Sequence, residues 1–124
     1  MTLKLAVVGC GRMGKLHARV ASELDEVTLA GVVDRNAATA DAVARQRDCV
    51  VFDSLEAAAA EVDAAIIAVP TVDHLAAAEP FLKAGKRVLI EKPLAPDVAT
   101  AERILQLARK TGAIVQVGHT ERYN

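Results

Sequence analysis

The stretch from Val7 to Lys15, VVGCGRMGK, decides how this chain is read, because it sets Gly9, Gly11 and Gly14 in the spacing G-x-G-x-x-G. It follows the apolar run Leu5 to Val8 and opens a segment, Met13 to Leu24, with helical spacing of its apolar residues. A strand that turns through glycines into a helix offers free backbone N–H groups and the positive end of a helix dipole to an anion. In that arrangement Gly9 allows the tight turn, Gly11 lets the backbone approach a pyrophosphate, and Gly14 permits close helix packing. Arg12 and Met13 would then lie against the dinucleotide. Three glycines alone also make an ordinary tight turn, so a second element has to decide.

That element is Asp34, which closes the next apolar run, Val27 to Val33, in LAGVVDRN. It stands about where the ribose-binding acid of this fingerprint is expected. A carboxylate accepts from both ribose hydroxyls and repels a 2′-phosphate, which favours NAD over NADP. Arg35 leaves NADP open, since a guanidinium either pairs with a 2′-phosphate or stacks on adenine. As plain structure Asp34 would cap a helix and Arg35 would be a solvated charge. Loop, strand and acid in register favour dinucleotide binding over both. Cys10 reads as a small loop filler.

Outward from this motif, strand-length runs recur at Cys49 to Phe52, Ala64 to Val69, Arg87 to Ile90 and Ala113 to Val117. Helical stretches fall between them at Asn36 to Gln46, Leu55 to Glu61, Val72 to Ala84 and Asp97 to Lys110. Asn36 and Ser54 suit helix starts, and Gly85 and Gly112 suit left-handed helix exits. Strands joined by helical crossovers make a parallel sheet covered on both faces, a doubly wound α/β (Rossmann) fold with strand order 3-2-1-4-5-6. Pro80 conflicts with a regular helix and predicts a kink or a restart at Glu79.

Composition narrows the function. The chain of 124 residues is 52% apolar and 25% charged, an ordinary globular balance for one domain, 1–124. Its net charge of -1, without a basic run interleaved with aromatics, argues against nucleic acid and anionic membranes as partners. No run is long enough to span a bilayer and Met1 to Gly9 lacks signal-peptide order, so a cytoplasmic protein is expected. Cys10 and Cys49 read as reduced thiols. His17, His74 and His119 are widely spaced, so no metal site is expected, and His17 reads as a packing or surface residue.

The second candidate site lies at VLIEKPLA, Val88 to Ala95, where an apolar run stops at Glu91, Lys92 and Pro93. Charges are costly to bury, so the strand ends at a solvated or open place. In the order 3-2-1-4-5-6, Lys92 leaves the fifth strand and His119 the sixth, beside Val69, Pro70 and Thr71 from the fourth. A lysine there can hydrogen-bond a substrate alcohol and take its proton, provided that burial or nearby positive charge frees the amine. Equally, Glu91 and Lys92 would form a solvated pair at a strand end.

Together VVGCGRMG, VVDRN, AVPTVDH, GKRVLIEKPLA and VGHTERYN resemble the amino-terminal domain of the Gfo/Idh/MocA family, over nearly the whole chain. The resemblance implies an NAD- or NADP-dependent oxidoreductase acting on sugars, cyclitols or related alcohols, with Lys92 catalytic. It places Glu91 and Thr71 near the nicotinamide riboside and His74 near the cofactor cleft. It also suggests a cis Lys92–Pro93 bond and a nucleotide-linked amino sugar as substrate. Such enzymes continue into a substrate domain absent from this chain. A fragment inactive alone, from a homo-oligomeric enzyme, is therefore expected. Two rivals are a non-catalytic NAD(P)-sensing module and a methyltransferase.

Overall fold

β-branched runs that alternate sides demand cover on both faces of a sheet, and this is how the chain is arranged. The computed structural model describes residues 2–118. Among these, β1 (Leu3–Val8), β2 (Val27–Val33), β3 (Val50–Val51), β4 (Ala64–Ile67), β5 (Arg87–Glu91) and β6 (Ile114–Gly118) form one sheet in the order 3-2-1-4-5-6. Every neighbouring pair is parallel. The crossovers are α1 (Arg12–Glu23), α2 (Ala37–Arg47), α3 (Leu55–Glu61), α4 (His74–Lys83) and α5 (Val98–Thr111).

The two faces separate by residue parity. Ala6, Val8, Ala65, Ile67, Val88 and Ile90 pack with Phe81, Leu82, Ile104 and Leu107 from α4 and α5. Leu5, Val7, Leu29, Val32 and Ala64 pack with Ala18, Ala21, Ala40, Val43 and Ala44 from α1 and α2. The second set is rich in alanine, which lets α1 and α2 approach the strands closely.

Local signals fix the element ends. Asn36, Ser54 and Asp97 accept from the N–H groups of Thr39, Ala57 and Thr100, capping α2, α3 and α5. Gly85 and Gly112 adopt positive φ where α4 and α5 end. Strand β3 is shorter than the run Cys49 to Phe52, because it lies at the sheet edge with Val50 and Val51 exposed. Pro80 corrects one expectation: α4 passes through it from His74 to Lys83 and does not restart at Glu79. A proline inside a helix costs roughly 3 kcal/mol. Its neighbours Phe81 and Leu82 are wholly buried, and each such side chain returns about 1.5–3 kcal/mol, which offsets that cost.

The glycines of the first turn carry different duties. Gly9 has φ +99, and a Cβ on Gly14 would stand 1.7 Å from the Gly9 carbonyl oxygen. Nothing lies within 4 Å of a Cβ on Gly11, whose φ of −75 suits any residue. Gly14→Ala should therefore destabilise the fold by about 3 kcal/mol or more through overpacking. Gly11→Ala should stay within about 0.5 kcal/mol of the parent. Urea denaturation followed by circular dichroism measures both.

Candidate cofactor and active site

Because the strands are parallel, the carboxyl ends of β1, β2, β4, β5 and β6 open on one edge, and the sheet order reverses between β1 and β4. That reversal is where such sheets bind ligands. The glycine turn is held there by the Gly9 N–H, which donates to the Val33 carbonyl at 2.7 Å. Helix α1 then starts at Arg12 without a side-chain cap. Its first-turn N–H groups, unlike those of α2, α3 and α5, are not claimed by a capping side chain, so they can meet an anion. Arg12 is exposed and Met13 half-buried beside them.

Asp34 does not cap a helix, since Asn36 does. Its Oδ2 accepts from the Cys10 N–H at 2.6 Å and its Oδ1 from the Asn36 N–H at 2.8 Å. The carboxylate is thus aimed by the glycine turn itself. A carboxylate has about four lone-pair sites, so each oxygen keeps one for a ribose hydroxyl. Gly9, Gly11, Asp34 and Arg35 line a cavity of about 560 Å³ together with Leu55, Val69 and Pro70. Its size and mostly aliphatic wall suit an adenosine moiety with a polar group at one end. Arg35 Nη2 lies 3.2 Å from Asp73 Oδ1, so the β2 exit is bridged to the 3-10 turn Thr71–Asp73. This pairing was not foreseen, because nothing in the spacing of Arg35 and Asp73 brings them together.

At the β5 exit the Lys92–Pro93 peptide is cis, as the resemblance implied. Lys92 is exposed, and its N–H donates to the Gly118 carbonyl at 2.9 Å. Glu91 is paired through Oε1 with Nε2 of His17 on α1. His17 is therefore buried and bonded, a role that its place in an alanine-rich stripe did not reveal. Thr71 is half-buried in the 3-10 turn. His74 is 1% exposed and does not line the cavity; its ring nitrogens lie 3.1 Å from the Leu94 carbonyl and 3.0 Å from the Val69 carbonyl. His119 lies outside the described residues.

An uncapped helix start at a glycine turn, an aimed carboxylate on the neighbouring strand and an adenosine-sized cavity define the fold and site as those of a dinucleotide-binding Rossmann domain. Residues 3–119 match the family described as "Oxidoreductase family, NAD-binding Rossmann fold", GFO_IDH_MocA, and the chain belongs to it. The chain is 38% identical over 120 residues to UDP-N-acetylglucosamine 3-dehydrogenase of Acidithiobacillus ferrooxidans, covering 97% of this chain and 38% of that protein. It is 36% identical over 126 residues to inositol 2-dehydrogenase of Rhizobium meliloti, covering 100% of this chain and 38% of that protein. The solved structure of the Acidithiobacillus dehydrogenase superposes with a TM-score of 0.89 at 36% identity, over 95% of this chain and 38% of that one. GenD2 from gentamicin A biosynthesis, solved in complex with NAD, does so with a TM-score of 0.88 at 33% identity, over 94% and 34%. The chain thus spans well under half the length of these relatives. Family membership removes the methyltransferase reading.

Cys10 is fully buried beside the acid. Burial first, and then the negative charge of Asp34, push its thiol up to about 11 from 9.0. The native state therefore holds this proton more tightly than the unfolded chain. The contribution to stability is whole below pH 9 and is lost as pH rises through about 11. We expect iodoacetamide at pH 8 to modify the half-buried Cys49 before Cys10, as read by peptide mass spectrometry. Faster labelling of Cys10 would contradict this environment.

Proposed function

We propose that the chain is the cofactor half of an NAD-dependent dehydrogenase that oxidises a secondary alcohol on a polyhydroxylated ring, and that the full enzyme adds a substrate domain. The observation that carries this is the uncapped start of α1 facing the same cavity as an Asp34 carboxylate with free lone pairs. The residues fit the cofactor: Gly11 leaves room for a pyrophosphate, Asp34 accepts from the ribose diol, and Arg35 flanks the cavity. Bound NAD supplies the hydride acceptor. Lys92 Nζ would take the proton from the oxygen of the substrate hydroxyl as the carbon bearing it gives up hydride, with Glu91 and Thr71 near the nicotinamide half. His74 serves as an interior brace. The names of the relatives, an N-acetylglucosamine nucleotide 3-dehydrogenase and inositol 2-dehydrogenases, support a sugar-type ring alcohol as substrate. Among the described residues no helix is long and apolar enough to cross a membrane. With Cys10 and Cys49 both free, this supports our placing the enzyme in the cytoplasm.

Two measurements check this reading. Saturating NAD at about 100 times its Kd should stabilise the protein by about 2.7 kcal/mol, and NADP should do less because Asp34 repels its 2′-phosphate. In the intact enzyme, assayed with UDP-N-acetylglucosamine and with myo-inositol, Lys92→Ala should lower kcat by roughly 10²–10⁴-fold while NAD affinity holds. Unchanged turnover would point instead to an NAD(P)-sensing module.

A further inference from the structure

Among the described residues, the buried polar side chains are His17, 4% exposed, and His74, 1% exposed. An aliphatic side chain would fill either place without asking for a partner, whereas a buried polar group left unbonded costs about 1–3 kcal/mol. Both histidines are bonded, and both reach the same short turn.

Parity explains the first contact. Val88 and Ile90 face the α4 and α5 side of the sheet, so Glu91 faces the opposite side, toward α1, where Gly14, His17, Ala18 and Ala21 form the inward stripe. His17 Nε2–H meets the Glu91 carboxylate there. The second contact comes from the other side of the sheet. Around His74 both acceptors are carbonyl oxygens, of Leu94 and Val69, so the ring is the donor in any hydrogen bond made. Between these two grips the Lys92 N–H donates to Gly118 on β6. Lys92 is thus held one residue before, at itself and two residues after, by α1, β6 and α4.

We propose that His17 and His74 are positioning residues for Lys92. His17 ties the lysine's place to the helix whose start faces the pyrophosphate. His74 ties it to the β4 exit that walls the adenosine cavity. The inference rests on Lys92 acting on the substrate proton. Side-chain precision matters at such a site, because a shift of about 1 Å in a reacting group costs on the order of 10²-fold in rate.

The test uses the intact enzyme with NAD and UDP-N-acetylglucosamine or myo-inositol. His17→Leu and His74→Leu keep bulk and remove the donor. They should lower kcat by roughly 10- to 100-fold. KM and the Kd for NAD should stay near the parent values, and His17→Gln, which restores an N–H within reach of Glu91, should recover much of the loss. A readout without substrate is trace acetylation of Lys92, with Lys83 and Lys110 as internal references. Its relative rate should change about threefold as the amine's surroundings move. Should a leucine variant fail to fold, His17→Phe or His74→Phe takes its place, keeping the ring's bulk without a donor, and the same loss of kcat at unchanged NAD affinity is required. If folded variants keep kcat and Lys92 reactivity at parent levels while Lys92→Ala abolishes turnover, the positioning role is wrong. If Lys92→Ala itself leaves turnover intact, the lysine reading fails and the inference goes with it.

Discussion

Among the described glycines the tightest approach is that of Gly14 to the carbonyl of Gly9, where a single added methyl would stand 1.7 Å from oxygen. It lets α1 rise directly from the end of β1, so the helix axis points its free N–H groups at the reversal of the sheet. Everything at the site is referred to that turn. Asp34 takes its direction from the Cys10 N–H within the turn, and Gly9 is itself anchored to Val33 on the strand that delivers Asp34. His17, one turn further along α1, carries the same frame across to Glu91. The proposed cofactor cradle and the support of Lys92 thus share one helix. On the proposed reading, a helix set further from the sheet would lose the anion site and the lysine's support together.

The histidines show how a polar group earns a place in an aliphatic interior. The cores on both faces are made of Ala, Val, Leu and Ile with Phe81 and Cys10, and such cores hold their shape by close packing and without polar contacts. No buried side-chain nitrogen or oxygen among the described residues lacks a partner. The contacts of Asp34, His17 and His74 lie along the carboxyl edge, where chain segments leave the sheet and packing alone does not fix them, while Thr111 donates to Leu82 and Leu107 at the other edge. Stability resides in the layered body and precision at its edge.

Much of this was legible in the sequence because it is local. Strand β2 and helix α3 begin and end where the apolar runs and the Ser54 cap place them, and Gly85 and Gly112 end their helices as glycines at such exits do. The glycine spacing and Asp34 were legible for the same reason, since motif and fold are set by neighbours in the chain. What spacing could not reveal joins distant segments. His17 and Glu91 are separated by 74 positions, and only the parity of β5 together with the stripe of α1 brings them face to face. Arg35 and Asp73 likewise meet through topology. Of the two outcomes expected at Pro80, a kink or a restart at Glu79, the restart does not occur: the proline's cost is visible locally, whereas the burial of Phe81 and Leu82 that offsets it depends on the sheet beneath.

The claim on which all of this depends is that a dinucleotide lies with its pyrophosphate at the start of α1 and its adenosine ribose on Asp34. Backbone amide NMR of the protein titrated with NAD addresses it most directly. The largest shifts should fall on Gly11, Arg12, Met13 and Gly14, with a second group at Asp34 and Arg35. Saturating NAD that leaves those amides unmoved, or that shifts chiefly residues on the opposite edge of the sheet, would contradict it.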